Sequence, residues 1–360
     1  MSEMVELTKQ QRAIVEATEP RIVVVASAAA GKTRCITERV RWLLAQGVPA
    51  EEIVTITFTN AAAEEISERL DNPAGLFIGT IHSLANYYLR SAGIDTSRLL
   101  NDEKFDDLFK LIKKHPDCVR HVTHLIVDET QDSNPQQFEF LLDMIAPDNY
   151  MLMGDHRQSI YRFNGATPDY VLGLMESPEV TTYDLNENFR NAPEILHYAQ
   201  GIIRQLGYDY EDYSIPMRTD LRGRVVNVDY SGDGLVRTIQ RYVAEGKSLY
   251  SDWFILTRTN AESDAIMQVL KKHNVPYDTF KNAQLDNKCL KQKMKEKTVK
   301  VLTIHTSKGL EADNVIVIGA RWHDIEEKCI GYVAATRARN LLVWTNKPRK
   351  NKPVTSYWGG

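Results

Sequence analysis

Two short segments in the first half of the sequence carry residue types suited to phosphate chemistry. The first is Ala26-Ser-Ala-Ala-Ala-Gly-Lys-Thr33, which follows an apolar run and opens a helical stretch. Backbone N–H groups at a helix N-terminus attract anions. Lys32 is placed to reach β- and γ-phosphates, and the Thr33 hydroxyl to ligate magnesium. The loop is poor in glycine: Ala26 stands at the first glycine of the general pattern and only Gly31 remains. The second segment is Leu125-Ile-Val-Asp-Glu-Thr-Gln-Asp132. It sets two carboxylates directly after a buried-type strand, where charge is costly unless it serves a cation or a reaction. Asp128 suits a magnesium held through water, and Glu129 suits orienting and deprotonating an attacking water. A polar cap on the following helix would account for Asp132 but not for Asp128 and Glu129.

The elements that must position these residues read as α/β. Ile22–Ala26, Ile53–Thr57, His124–Val127 and Tyr150–Met153 are short continuous apolar runs, as expected of buried parallel strands. Helical stretches are expected over Lys32–Gln46 and Ala61–Leu70. The second half repeats the alternation. Strands are expected at Val225–Val228, Trp253–Thr257, Val299–Thr303, Val315–Ile318 and Leu341–Trp344. Helices are expected at Ala192–Gln205, Leu235–Ala244, Ala261–His273 and Glu326–Ala338. Such alternation implies parallel sheets with right-handed crossovers. Ligands then bind at the carboxyl ends of the strands, where both segments lie. The boundary between the two domains is expected near Val180–Asp184, giving domains 1–182 and 183–346 and a loose tail over 347–360.

Composition sets limits. The 360 residues are 43% hydrophobic and 26% charged, enough for two globular domains. No apolar run reaches the roughly 18 residues of a membrane span, so no membrane partner is expected. The four cysteines (Cys35, Cys118, Cys289, Cys329) show no metal-type spacing and read as reduced thiols of a cytoplasmic protein. A bacterial or viral-type setting is expected. The net charge of -4 means that any nucleic-acid surface must be local. Lys110–His124 and Lys288–Lys300 are locally basic; each reads equally as a solvated face or as a phosphate contact.

Taken together, the motifs resemble those of the UvrD/Rep-type superfamily 1 helicases, in the family's order, from Leu7 to about Thr345. Leu7-Thr-Lys-Gln-Gln11 is similar to the Q motif. The loop matches at Ala28, Gly31, Lys32 and Thr33, with Ala29 and Ala30 between them. Thr57-Phe-Thr-Asn60, with Ala62, Ala63, Glu65 and Arg69, resembles motif Ia, and Gly79-Thr-Ile-His82 motif Ib. Asp128–Asp132 resembles motif II and Gly154-Asp-His-Arg-Gln-Ser-Ile-Tyr161 motif III. Leu185-Asn-Glu-Asn-Phe-Arg190 resembles motif IV, Thr303-Ile-His-Thr-Ser-Lys-Gly-Leu-Glu311 motif V, and Tyr332-Val-Ala-Ala-Thr-Arg-Ala338 motif VI.

The resemblance implies two tandem RecA-like P-loop domains with parallel sheets and an ATP cleft between them. It implies adenine contacts from Gln11, Arg34 and Phe189, and a ribose contact from Glu311. Gln158 would sense the γ-phosphate, and Arg190 and Arg337 would stabilise it. Phe58, Thr59, Asn60, His82, Tyr161, Phe163 and His305 would face the nucleic acid. The cofactors implied are ATP and Mg2+. The activity implied is an ATP-dependent, 3′ to 5′ single-stranded DNA translocase or helicase. The alternative is an ATP-controlled clamp or partner-dependent translocase that does little unwinding. Single-stranded DNA and single/double-strand junctions are the expected partners, ahead of RNA. The chain is expected to act as a monomer; the tail from Lys347 could dock replication or repair proteins.

Several positions depart from the family pattern. Ser27 and Ala29 stand where glycines are usual, narrowing the space around the phosphates. Ala61, Asn164 and Cys329 each stand where a cation is usual, and His156 and Arg157 replace acidic residues. The family's large inserted subdomains are reduced to a small helical insertion of one or two helices over about 84–121 and a lysine-rich stretch over about 281–298.

Overall fold

The structure is a computed structural model and describes residues 6–204, 213–280, 292–319 and 324–346. The expected tail, 347–360, lies outside the described residues, as does most of the lysine-rich stretch. The chain divides into two units, one ending at Asn186 and one beginning at Glu187.

In the first unit six strands form one parallel sheet: β1 (Arg21–Ala26), β2 (Ile53–Thr57), β3 (Phe77–Thr80), β4 (His124–Val127), β5 (Asn149–Gly154) and β6 (Thr181–Leu185). Their order is β3-β2-β4-β5-β1-β6. Side chains alternate between the faces of a strand, and the core follows that rule. Val23, Val54, Ile56, Leu125, Val127 and Leu152 pack on one face with the helix Ile81–Ser91 and its successors. Ile22, Val24, Ala26, Ile126, Met151 and Met153 pack on the other with Ile36, Val40 and Leu43 of the helix Lys32–Ala45. Because both faces are covered, the central strands are apolar at nearly every position.

Two features differ from expectation here. The strand Thr181–Leu185 runs across the expected boundary: it pairs with β1 from Ile22↔Thr181 to Ala26↔Leu185, and the first unit ends at Asn186 rather than at 182. The insertion holds three helices, Ile81–Ser91, Ser97–Asn101 and Asp107–Lys114. Leu84, Tyr88, Leu89, Leu108, Phe109 and Ile112 from it join the core beneath β2 and β4, so it is part of the domain rather than a separate lobe.

In the second unit a two-stranded parallel pair, β7 (Glu187–Asn188) and β8 (Ile215–Pro216), stands beside a six-stranded parallel sheet. That sheet comprises β9 (Arg224–Val228), β10 (Trp253–Thr257), β11 (Tyr277–Thr279), β12 (Val299–Thr303), β13 (Ala312–Val317) and β14 (Ala338–Thr345), in the order β11-β12-β10-β13-β14-β9. The helix Ile325–Ala335 ends three residues earlier than expected, because Ala338 already pairs with Ala312 in the sheet.

One local device occurs in both units. Thr57-Phe-Thr-Asn60 and Thr257-Arg-Thr-Asn260 each follow a fully buried strand and open a helix. Thr59 and Thr259 cap their helices by accepting from Ala62 N and Glu262 N, both at 3.2 Å. The strand-end hydroxyls of Thr57 and Thr257 donate to the carbonyls of Thr59 and Thr259 at 2.9 and 3.2 Å. A cap of this kind aligns the strand-to-helix turn.

Candidate functional site

The loop 26–33 joins the carboxyl end of β1 to the helix Lys32–Ala45. Gly31 is the N-cap residue and has φ 87, ψ 33, a left-handed conformation that glycine adopts without steric cost. A Cβ there would sit 2.9 Å from Gln11 Nε2. The N-cap residue, a glycine, offers the helix start no side-chain cap. Ala29 is also left-handed, at φ 58, a conformation uncommon for a residue with a Cβ.

Gln11 is buried and bonded at both ends of its amide. Its Oε1 accepts from Thr8 N at 3.2 Å and its Nε2 donates to Ala30 O at 3.3 Å. It ties the first helix to the loop. Thr33 and Arg34 lie half-buried in the first helical turn.

The carboxylates of the second segment come to the same place because β4 and β1 both flank β5. Lys32 Nζ forms an ion pair with Glu129 Oε1. Burial works against the Lys32 ammonium, but Glu129, Asp128 and Asp155 outweigh it and raise its pKa above the ordinary value. Glu129 has φ 52, a conformation uncommon outside glycine. Gln131 Nε2 donates to its other oxygen, Oε2. Asp128 Oδ1 accepts from Glu129 N at 2.9 Å, which orients the Asp128 carboxylate against the turn that carries Glu129.

A buried network continues from there. Gln131 Oε1 accepts from Asp155 N at 2.9 Å. Asp155, fully buried, accepts from Arg157 Nε at 2.6 Å and from Gln158 Nε2 at 2.8 Å. Burial alone would raise the Asp155 pKa; the charges of Arg157 and His156, with the hydrogen bonds from Arg157 and Gln158, lower it instead. Gly154 makes the close packing possible, since a Cβ there would fall 2.4 Å from Gln131 Oε1.

Three aromatic rings gather at the ends of the first sheet. Phe58 stacks on Tyr161, with centroids 5.0 Å apart and planes at 30°. Tyr161 meets Phe163 at 5.9 Å. Phe163 is 67% exposed and Phe58 42%, which is unusual for rings whose only task is to fill a core. Thr59 and Asn60 are exposed beside Phe58. His82 faces the insertion, its Nε2 3.0 Å from Asp106 Oδ1 and its ring against Phe105 and Phe109.

In the second unit Arg190 Nε pairs with Glu311 Oε2, and Arg190 Nη1 donates to Thr336 O at 3.3 Å. Asn188 and Asn191 fasten this turn: Asn188 Oδ1 accepts from the N–H groups of Arg190 and Asn191, and Asn191 Nδ2 donates to Thr336 O and Ala338 O. Arg337 is buried and donates to Val333 O at 2.9 Å, Thr336 Oγ1 at 3.1 Å and Leu310 O at 3.3 Å. The segments expected to carry the phosphate-facing arginines are therefore bound to each other. Phe189 is 38% exposed beside them. His305 lies half-buried in the turn after β12.

The sequence matches the UvrD/REP helicase N-terminal domain over residues 7–116 and 107–179, and the UvrD-like helicase C-terminal domain over 183–285 and 278–347. The chain belongs to the UvrD/Rep helicase family. The two parallel sheets are its two tandem RecA-like domains. Similar proteins include YjcD of Bacillus subtilis (25% identical over 77% of this chain and 49% of that protein). The ATP-dependent DNA helicase PcrA of Staphylococcus epidermidis is 25% identical over 75% of this chain and 50% of its own length. DNA helicase II of Haemophilus influenzae is 24% identical over 78% and 52%. The chain thus spans about half the length of these relatives.

Within this UvrD-type frame, three residues outside the expected set bond to expected site residues, each within its own domain. Gln131 and Asp155 connect the motif II carboxylate to the motif III glutamine, and Arg339 pairs with Glu311. Gln131 and Asp155 lie within or next to strand-end motifs, which was the available signal; Arg339 carried none. In the basic stretch 110–124, Lys110 meets Asp107 at 2.6 Å, Lys113 meets Glu139 at 2.7 Å and His121 lies 3.3 Å from Asp148. Lys300, the last lysine of the other basic stretch, is buried and bonded to Thr298 Oγ1, Glu296 O and Asp278 Oδ2. Among the described residues no helix is long and apolar enough to cross a membrane.

Proposed function

We propose that this chain hydrolyses ATP between its two RecA-like domains and uses the cycle to move 3′ to 5′ along single-stranded DNA, opening duplex as it goes. What supports the reading most is the convergence of Lys32, Asp128, Glu129 and Gln131 on the uncapped start of the helix Lys32–Ala45.

In this reading the triphosphate lies on the loop 26–33, where helix N–H groups and Lys32 meet its oxygens. Lys32 exchanges Glu129 for phosphate. Glu129, still held by Gln131, orients a water and takes its proton. Thr33 and, through water, Asp128 would hold magnesium, which when bound neutralises charge on the phosphates. The donors fit a hard cation, because both are oxygen ligands, a hydroxyl and a carboxylate, and phosphate and water can supply the rest. Gln158 reports the γ-phosphate, and Arg190 and Arg337 stabilise its developing charge. Gln11, Arg34 and Phe189 contact adenine, and Glu311 lies toward the ribose. Phe58, Thr59, Asn60, Tyr161, Phe163 and His305 contact the strand. Stacking suits a motor that must pass any sequence. His82 is engaged by Asp106 and the reading does not need it.

The test is ATP turnover with and without single-stranded DNA, followed by displacement from tailed duplexes on the same preparation. DNA-stimulated turnover with displacement from 3′-tailed duplexes is the expected result; no turnover would end the proposal. A second reading, a clamp or translocase that unwinds little, is favoured by one observation. The insertion spends its apolar side on the domain core instead of forming a lobe. Stimulated turnover without displacement would select it.

A further inference from the structure

Glu311 is shared between two arginines, and this has a consequence for Arg190, given the reading of Arg190 as a phosphate-facing group. Glu311 Oε2 meets Arg190 Nε, while Oε1 meets Arg339 Nη2. Arg339 also reaches Asp313 Oδ1 at 3.5 Å. Backbone bonds hold the parts in register: Ala192 N donates to Arg339 O at 3.0 Å, and Ala312 N to Arg337 O at 3.1 Å. The Arg190 side chain is 15% exposed, that of Glu311 31% and that of Arg339 44%.

Arg190 gives its Nε to Glu311 and its Nη1 to Thr336 O, so turning its Nε edge to a phosphate requires it to leave Glu311. Leaving strips a partly buried carboxylate of a counter-charge, which is unfavourable unless another cation stays. Arg339 is that cation. Being the more exposed of the two, it loses less hydration by remaining. Burial, which works against the charged form of Arg190, gives that residue the more to gain from an anion.

We propose that Arg339 is a positioning residue for Arg190: by keeping Glu311 paired, it lets Arg190 transfer from carboxylate to phosphate. Arg339 itself need not touch the nucleotide.

The experiment is steady-state ATP turnover of the full chain, saturated with single-stranded DNA, for R339A, R339K, E311Q, R339A/E311Q and R190A. R339A is expected to lower kcat about tenfold, a barrier rise of about 1.4 kcal/mol, with KM for ATP changed less than about twofold. R339K should recover part of the loss, because the charge is kept. R339A/E311Q should return to the kcat of E311Q alone, because a neutral side chain at 311 no longer retains Arg190. Three results overturn the inference: an unchanged kcat in R339A, a double variant slowed relative to E311Q as much as R339A is relative to the parent, or a change confined to KM, which would assign the pair to ribose binding. R190A separates the two levels. If R190A turns over normally, the phosphate role of Arg190 falls and the inference with it. If R190A is slow and R339A is not, only the inference falls.

Discussion

Lys32 and Glu129, the cation and the carboxylate expected to act on ATP, are paired directly with each other. Each therefore occupies the place of the other's later partner. The E129Q variant should bind ATP at least as tightly as the parent, because Lys32 no longer has to leave a carboxylate. Its turnover should fall by about 10² to 10⁴-fold, the usual contribution of a positioned general base. Nucleotide affinity from a fluorescent analogue and kcat on one preparation would check both. Normal turnover in E129Q would remove Glu129 from the mechanism.

Asp155 and Arg157 form a fully buried pair just beyond the end of β5. Replacing Asp155 by Asn takes a counter-charge away from a buried guanidinium, and breaking a buried pair in this way costs about 3 to 5 kcal/mol. It also slackens Gln158, so turnover should fall with stability. The pH dependence follows from the lowered pKa of Asp155. A carboxyl whose folded pKa lies below its ordinary value of 3.8 adds stability above pH 3.8 and loses it as pH falls through the folded value. Urea unfolding of parent and D155N should therefore differ most at neutral pH and converge in acid. A gap that persists undiminished below pH 3 would contradict this account.

Ser27 is fully buried in the phosphate loop, and its hydroxyl finds no hydrogen-bond partner among the described residues. An unsatisfied buried hydroxyl costs about 1 to 3 kcal/mol. S27A should thus raise the free energy of unfolding by about 1 kcal/mol without nucleotide. Thermal or urea unfolding of the free protein decides it: a destabilised S27A would mean that the hydroxyl has a partner after all.

The central strands were legible because burial on both faces makes a continuous apolar run, as in Ile22–Ala26 and Trp253–Thr257. β3, β6 and β11 were not, and the reason is position. β3 and β6 are the edges of the first sheet and β11 an edge of the second. Half-covered edges carry mixed sequences: β6 reads Thr-Thr-Tyr-Asp-Leu, with only Leu185 buried. At the site, Lys32, Asp128 and Glu129 were legible from residue type and local context. The bond by which Asp155 N donates to Gln131 was not. It joins two distant segments and depends on β4 and β5 lying side by side, and a strand order is not written in any one segment. Glu311 with Arg339 is the same case in the second unit, where the meeting depends on β13 pairing with β14.

Phe58, Tyr161 and Phe163 form a surface of rings, and Phe163 is the most exposed of them. If bases stack there, F163A should weaken single-stranded DNA binding by about 1 to 3 kcal/mol, or about 5- to 150-fold. Stacking displaces no counterions, whereas phosphate contacts do. The loss in F163A should therefore be the same at every salt concentration, and the slope of log affinity against log salt should match the parent's. A cation on the strand track would behave otherwise, since its removal flattens the slope by about one unit. Titrating a labelled oligonucleotide across a range of salt distinguishes the two. An F163A protein with parental affinity would show that the exposed ring serves something other than the strand.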